Sequence, residues 1–66
     1  MHLTLHPSGE AIIVSGASDS LFTWLLLFEN ENTARHAYSH VRNKSFTTLT
    51  GLFDYLHKLL GITALS

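Results

Sequence analysis

The run Leu21-Phe22-Thr23-Trp24-Leu25-Leu26-Leu27-Phe28 constrains this chain more than any other segment, because seven of its eight residues are large and apolar. Drawn as a strand, it has no wet face. Phe22, Trp24, Leu26 and Phe28 point one way, and Leu21, Leu25 and Leu27 point the other. A strand in a small antiparallel sheet ordinarily alternates, with one side on the core and one in water. A helix capped by Ser18 or Asp19 is the competing reading. The apolar positions are continuous rather than spaced by three and four, however, and eight residues suit a strand of roughly 26 Å. Both sides of that strand need cover, and a chain of 66 residues buries only about 60% of its unfolded surface. Two sheets facing each other about a two-fold axis would be the simplest cover.

The remaining segments supply a sheet and a helix. His2 to His6 alternates, with Leu3 and Leu5 on one face, as a half-buried strand does. Pro7-Ser8-Gly9-Glu10 reads as a turn, and Ala11-Ile12-Ile13-Val14 as the β-branched return strand of a hairpin. Ser15 to Ser20 is a loop by composition. Thr33 to Arg42 has two readings. As a strand it returns through the polar turn Glu29-Asn30-Glu31-Asn32, with His36, Tyr38, His40 and Arg42 on one face. As a helix it places Ala34, Ala37, Tyr38 and Val41 in a stripe, capped by Asn32 or Thr33. The short turn between two extended runs favours the strand.

The carboxy-terminal pattern is the clearest. Leu49, Leu52, Phe53, Leu56, Leu59 and Leu60 fall at helical spacing. Thr47 or Thr48 caps the start, Phe46 packs back on it, and Gly61 ends it. His57 and Lys58 in the last turn suit the helix dipole. Gly51 costs about 1 kcal/mol as an interior helix residue, a flaw that would leave room for close approach to the sheet. Ile62 and Leu65 form a tail that packs back. The expected fold is α+β: residues 1–66 as a single small domain, a small antiparallel sheet of three to four strands packed by one C-terminal α-helix.

Composition narrows the function. There are no cysteines, so disulfides and thiolate metal sites are excluded. Net charge is −1, and only four residues are Lys or Arg, fewer than a chain that grips phosphates usually carries. No run of about 20 apolar residues suggests a membrane span, and no basic-then-apolar amino terminus suggests a secretory signal. The expectation is a cytoplasmic protein. His2 and His6 are four apart, as are His36 and His40. On a helix that spacing suits zinc, but on strands it spans about 13 Å, too far for one ion. No metal or cofactor is expected. The acids Glu10, Asp19, Glu29, Glu31 and Asp54 fall in loops, turns or on the polar side of the helix. No nucleophile elbow or Gly-rich phosphate loop occurs, so the chain reads as no enzyme.

Binding is therefore the expected function, and the first partner expected is a second copy of the chain, in a homodimer or larger assembly. The candidate interface is Phe22, Trp24, Leu26 and Phe28, chosen for its aromatics. Another protein is a further possible partner, and nucleic acid is the alternative. If residues 33–42 are extended, His36, Tyr38, His40, Arg42 and Lys44, with Arg35 nearby, make a basic-aromatic stripe of the kind that stacks bases on a sheet. The order of three strands followed by a helix also resembles the small plant-type and integrase arm-type DNA-binding domains. That resemblance is one of element order, it includes no shared motif, and no residue is carried across from those families.

Overall fold

The computed structural model describes residues 1–61 of the 66. Three strands, β1 (His2–Leu5), β2 (Ala11–Ser15) and β3 (Trp24–Leu27), are followed by two helices, α1 (Glu31–Val41) and α2 (Leu49–Leu60). The sheet is antiparallel in the order β1-β2-β3, and the fold is α+β as expected. Ile62 and Leu65, expected as a packed tail, lie outside the described residues.

The first hairpin follows from its turn residues. Gly9 N–H donates to the His6 carbonyl at 2.8 Å, and His6 N–H donates to the Ala11 carbonyl at 2.8 Å. Gly9 sits at φ +78°, and a Cβ there would meet the Glu31 side chain at 3.0 Å. The left-handed backbone favours glycine here, while the contact involves only the flexible, half-exposed Glu31 side chain, which can shift.

Register sets the two faces. Leu5, Ile12 and Leu26 form one row across the sheet, and Leu3, Val14 and Trp24 the next. Both rows face the helices. Ile12 and Val14 are fully enclosed, in one cluster with Ala37 and Val41 of α1 and Leu49, Leu52 and Leu56 of α2. The other face carries Thr4, Ile13 and Leu25 in a row, with Leu27 beside Ala11.

Two expectations are corrected. Thr33 to Val41 belong to a helix with Arg42 as its C-cap, not to a fourth strand, so two helices cover the sheet and, among the described residues, no strand pairs with the far edge of β3. Asn30, rather than Asn32 or Thr33, caps α1. Its side chain accepts from Thr33 N–H at 2.8 Å and from the Thr33 hydroxyl at 3.0 Å. The helix prevails because it gathers Ala34, Ala37 and Val41, all fully buried, on one side. As a strand the segment would divide its few apolar side chains between two faces. The second correction concerns the length of the apolar run. Only Trp24–Leu27 is strand. β2 ends at Ser15 and the chain turns away at Gly16, φ +73°, so Leu21 and Phe22 have no strand beside them.

The β2–β3 connection is tied to α2. Ser18 N–H donates to the Thr47 carbonyl at 2.8 Å. The Asp19 carboxylate accepts from Leu49 N–H at 2.7 Å, from Thr50 N–H at 3.3 Å and from the Thr50 hydroxyl at 3.2 Å. The Thr48 hydroxyl accepts from Gly51 N–H at 3.1 Å. A residue thirty positions upstream and the local cap therefore share the free amides of the first turn. At Gly51 the nearest atom to an added Cβ is the Thr48 hydroxyl oxygen, at 3.1 Å. The glycine makes room for the cap, not for the sheet. Gly61, φ +67°, closes α2 by donating its N–H to the His57 carbonyl.

Two predictions follow from this packing. Leu52→Ala, at a fully buried position, should cost about 3 kcal/mol in urea unfolding, a large share of the total stability expected for a domain this small. Asp19 has its carboxyl held below its ordinary value of 3.8, first by the Leu49 backbone N–H, against an opposing desolvation effect. A depressed folded pKa contributes stability above the unfolded value, and that contribution is lost as pH falls through the folded one. Asp19→Asn should therefore be less stable than the parent at pH 7, and the gap should narrow as pH drops below about 3.8. Parallel urea titrations at pH 7 and pH 3 measure it.

Candidate functional site

Because β3 lies at the end of the sheet, one of its edges has no neighbouring strand among the described residues. The direction of its backbone groups follows from the ladder. Phe28 N–H donates to the Glu10 carbonyl at 2.9 Å, and in an antiparallel pair the bonded residues alternate. Trp24, Leu26 and Phe28 thus turn their backbone groups toward β2. Leu25 and Leu27 turn theirs toward the open edge. An apolar edge strand of this kind is a ready template for pairing with another chain.

Side chains around that edge are unusually exposed. Leu21 is fully exposed, Leu27 75%, Phe22 73%, Leu25 51% and Trp24 40%. Two concavities lie along the same border. One, about 450 Å³, runs between β3 and α2 and is lined chiefly by Leu26, Phe28, Phe53, Leu56 and Leu60. The other, about 600 Å³, lies under Leu21 and Phe22 against Leu49 and Thr50. Trp24 and Phe53 line both. Their rings meet edge to face, with centroids 6.5 Å apart and an interplanar angle of 84°. The Trp24 indole N–H donates to the Ser20 hydroxyl at 2.9 Å, and Phe22 N–H donates to the same oxygen at 3.2 Å. This holds the start of the apolar segment bent. Glu29 and His57 supply the polar rim of the first concavity.

The structure separates the four candidate interface residues. Leu26 and Phe28 are partly buried against the core, Trp24 leans on Phe53, and Phe22 stands clear of the strand. The open side of β3 belongs instead to Leu25 and Leu27. Sequence reasoning did not single these two out, since either face of an all-apolar run fits the core. Phe53 and Leu60 were recognised as members of the helix stripe, but not as walls of a groove. The available signal was that the stripe carries more apolar residues than one short strand can cover.

The candidate nucleic-acid stripe is dispersed by α1. At 100° per residue, Tyr38 lies about 160° around the helix from His36. His36 and His40 share one side, their rings edge to face with centroids 4.6 Å apart. Tyr38 is partly buried against the core, with the Arg42 guanidinium 6.0 Å from its ring centre. Arg35 pairs with Glu31 one turn earlier. Lys44 lies over Tyr55, 5.1 Å from the ring centre. Among the described residues no three His, Asp or Glu side chains gather where they could hold a metal ion, and no helix is long and apolar enough to cross a membrane. The observed order of three strands and two helices also departs from the three-strand, one-helix layout of the DNA-binding domains named above. No family model, curated protein or solved structure matches this chain.

Phe53→Ala tests the wall of the groove. It should red-shift Trp24 fluorescence and lower stability by about 1–2 kcal/mol, combining the lost edge-to-face pair with lost burial. An emission spectrum and a urea titration read both effects.

Proposed function

We propose that this chain is a small, non-enzymatic interaction protein that works as a homo-oligomer, in its simplest form a dimer, through the apolar surface along β3. The observation that carries this reading is the exposure of five large apolar side chains within Leu21 to Leu27, on and beside an edge that no strand pairs among the described residues. A monomer rarely leaves a contiguous patch above about 300–600 Å² in water. The absence of cysteine suits a reducing, cytoplasmic setting. The stripe of Arg35, His36, Tyr38, His40, Arg42 and Lys44, which motivated nucleic acid as a partner, needed an extended backbone. With it on a helix, no observation favours that alternative over self-association.

Light scattering on a sizing column, across a concentration series, tests the proposal. The parent chain should run at twice its 7.4 kDa mass or a higher multiple. Leu25→Lys/Leu27→Lys should run as a monomer with an unchanged circular dichroism spectrum, because both side chains point away from the core. A parent chain that stays monomeric at several hundred micromolar overturns the reading.

A further inference from the structure

We infer that the second copy joins by strand addition: β3 of one protomer pairs antiparallel with β3 of the other, edge to edge, about a two-fold axis at Leu26, making one continuous six-stranded sheet. This rests on the self-association proposed above and specifies how it occurs. It differs from the face-to-face packing of two sheets that the sequence alone suggests.

Backbone geometry limits the possible registers. Only Leu25 and Leu27 aim their N–H and C=O groups at the open edge, so bonded pairs across the new junction must join odd-numbered residues to odd-numbered residues. Three central registers satisfy this. Placing Leu25 opposite Leu27 of the second copy uses both residues of each strand and forms two complete bonded pairs. It sets Leu26 against Leu26 and Trp24 against Phe28, so every side chain of Trp24 to Phe28 meets an apolar side chain. Sliding by one residue per chain toward the carboxy terminus would set Glu29 against Leu25. Sliding the other way would recruit Phe22, which lies outside the strand and is bent away by Ser20.

Charge decides the direction. A parallel pairing in register would set Glu29 beside its own copy. The antiparallel arrangement sets Glu29 opposite Thr23 and keeps the two carboxylates at opposite ends of the junction. The apolar surface suits a second copy as occupant. The exposed parts of Trp24, Leu25 and Leu27, on the order of 300 Å², meet an identical set across the axis, toward the ~800 Å² per partner of a standard stable interface. The groove beside the edge, lined by Leu26, Phe28, Phe53, Leu56 and Leu60, adds further apolar surface. An added strand would bring its Trp24, Leu26 and Phe28 side chains to the helix side of the sheet, at the open border of the groove lined by Phe53, Leu56 and Leu60.

Amide hydrogen exchange by nuclear magnetic resonance, on the unmodified chain below and above the association midpoint, tests this directly. In the dilute monomer the Leu25 and Leu27 amides face water and exchange freely, while Leu26 and Phe28 are slowed by β2. At a total concentration about 100 times the dissociation constant roughly 7% of the chain stays monomeric, so Leu25 and Leu27 should exchange ~15-fold more slowly. In a mixed-label sample, a nuclear Overhauser contact between Trp24 Hα and Phe28 Hα of the second copy should appear. A dimer whose Leu25 and Leu27 amides stay fast overturns strand addition while leaving self-association standing, and places the interface on the Ile13–Leu25–Leu27 face. Protected amides without the Trp24–Phe28 contact overturn the register. A chain that is monomeric at every concentration overturns both the self-association and its geometry, and leaves an extended apolar segment of another protein as the occupant of the edge.

Discussion

Ile12 and Val14 stand at the centre of the sheet with essentially no exposure, and the other buried side chains are arranged around that pair. The two leucines of β1 lie beside them in register, α1 presents its alanines and Val41, and α2 brings Leu49, Leu52 and Leu56. Burying these residues from both sides of the strand would need a second layer of helices. The chain has apolar stripes enough for one layer. The sheet is therefore covered on one face, and the chain's most apolar segment, at its edge, retains exposed leucine and aromatic surface.

How the two helices reach that single face depends on polar contacts at their starts. Asn30 caps α1 directly after the strand ladder ends at Phe28, so sheet and helix meet with almost no linker. Asp19 caps α2 from a distance and fixes the β2–β3 connection against it. The same connection carries Leu21 and Phe22 to the mouth of the second concavity. A carboxylate placed to satisfy helix amides thereby also positions part of the apolar surface proposed to bind a partner.

Legibility in the sequence followed the strength of each local signal. α2 could be read almost residue by residue, because six apolar positions at helical spacing sit between a threonine cap and a terminal glycine. The first hairpin could be read from Pro7 and Gly9. α1 could not be settled, because alternation and helical spacing both fit ten residues with few large apolar side chains. Its decisive features, Asn30 as cap and the close fit of Ala34 and Ala37 under the sheet, depend on what lies across the core. The run Leu21 to Phe28 was recognisable as the place of contact. Its orientation was not, because reversing an all-apolar strand exchanges one set of apolar side chains for another at no cost visible in the pattern.

The sequence by itself determined an α+β chain with an excess of apolar surface at residues 21–28, because residue type and local spacing are enough to mark strands, a capped helix and uncovered leucines. Only the tertiary structure decided that residues 31–41 close the core as a helix, that β3 is left at the sheet's edge, and that Leu25 and Leu27 face outward. Those outcomes turn on which elements compete to bury Ile12 and Val14. That competition is settled by packing between segments far apart in the chain, which no local pattern records.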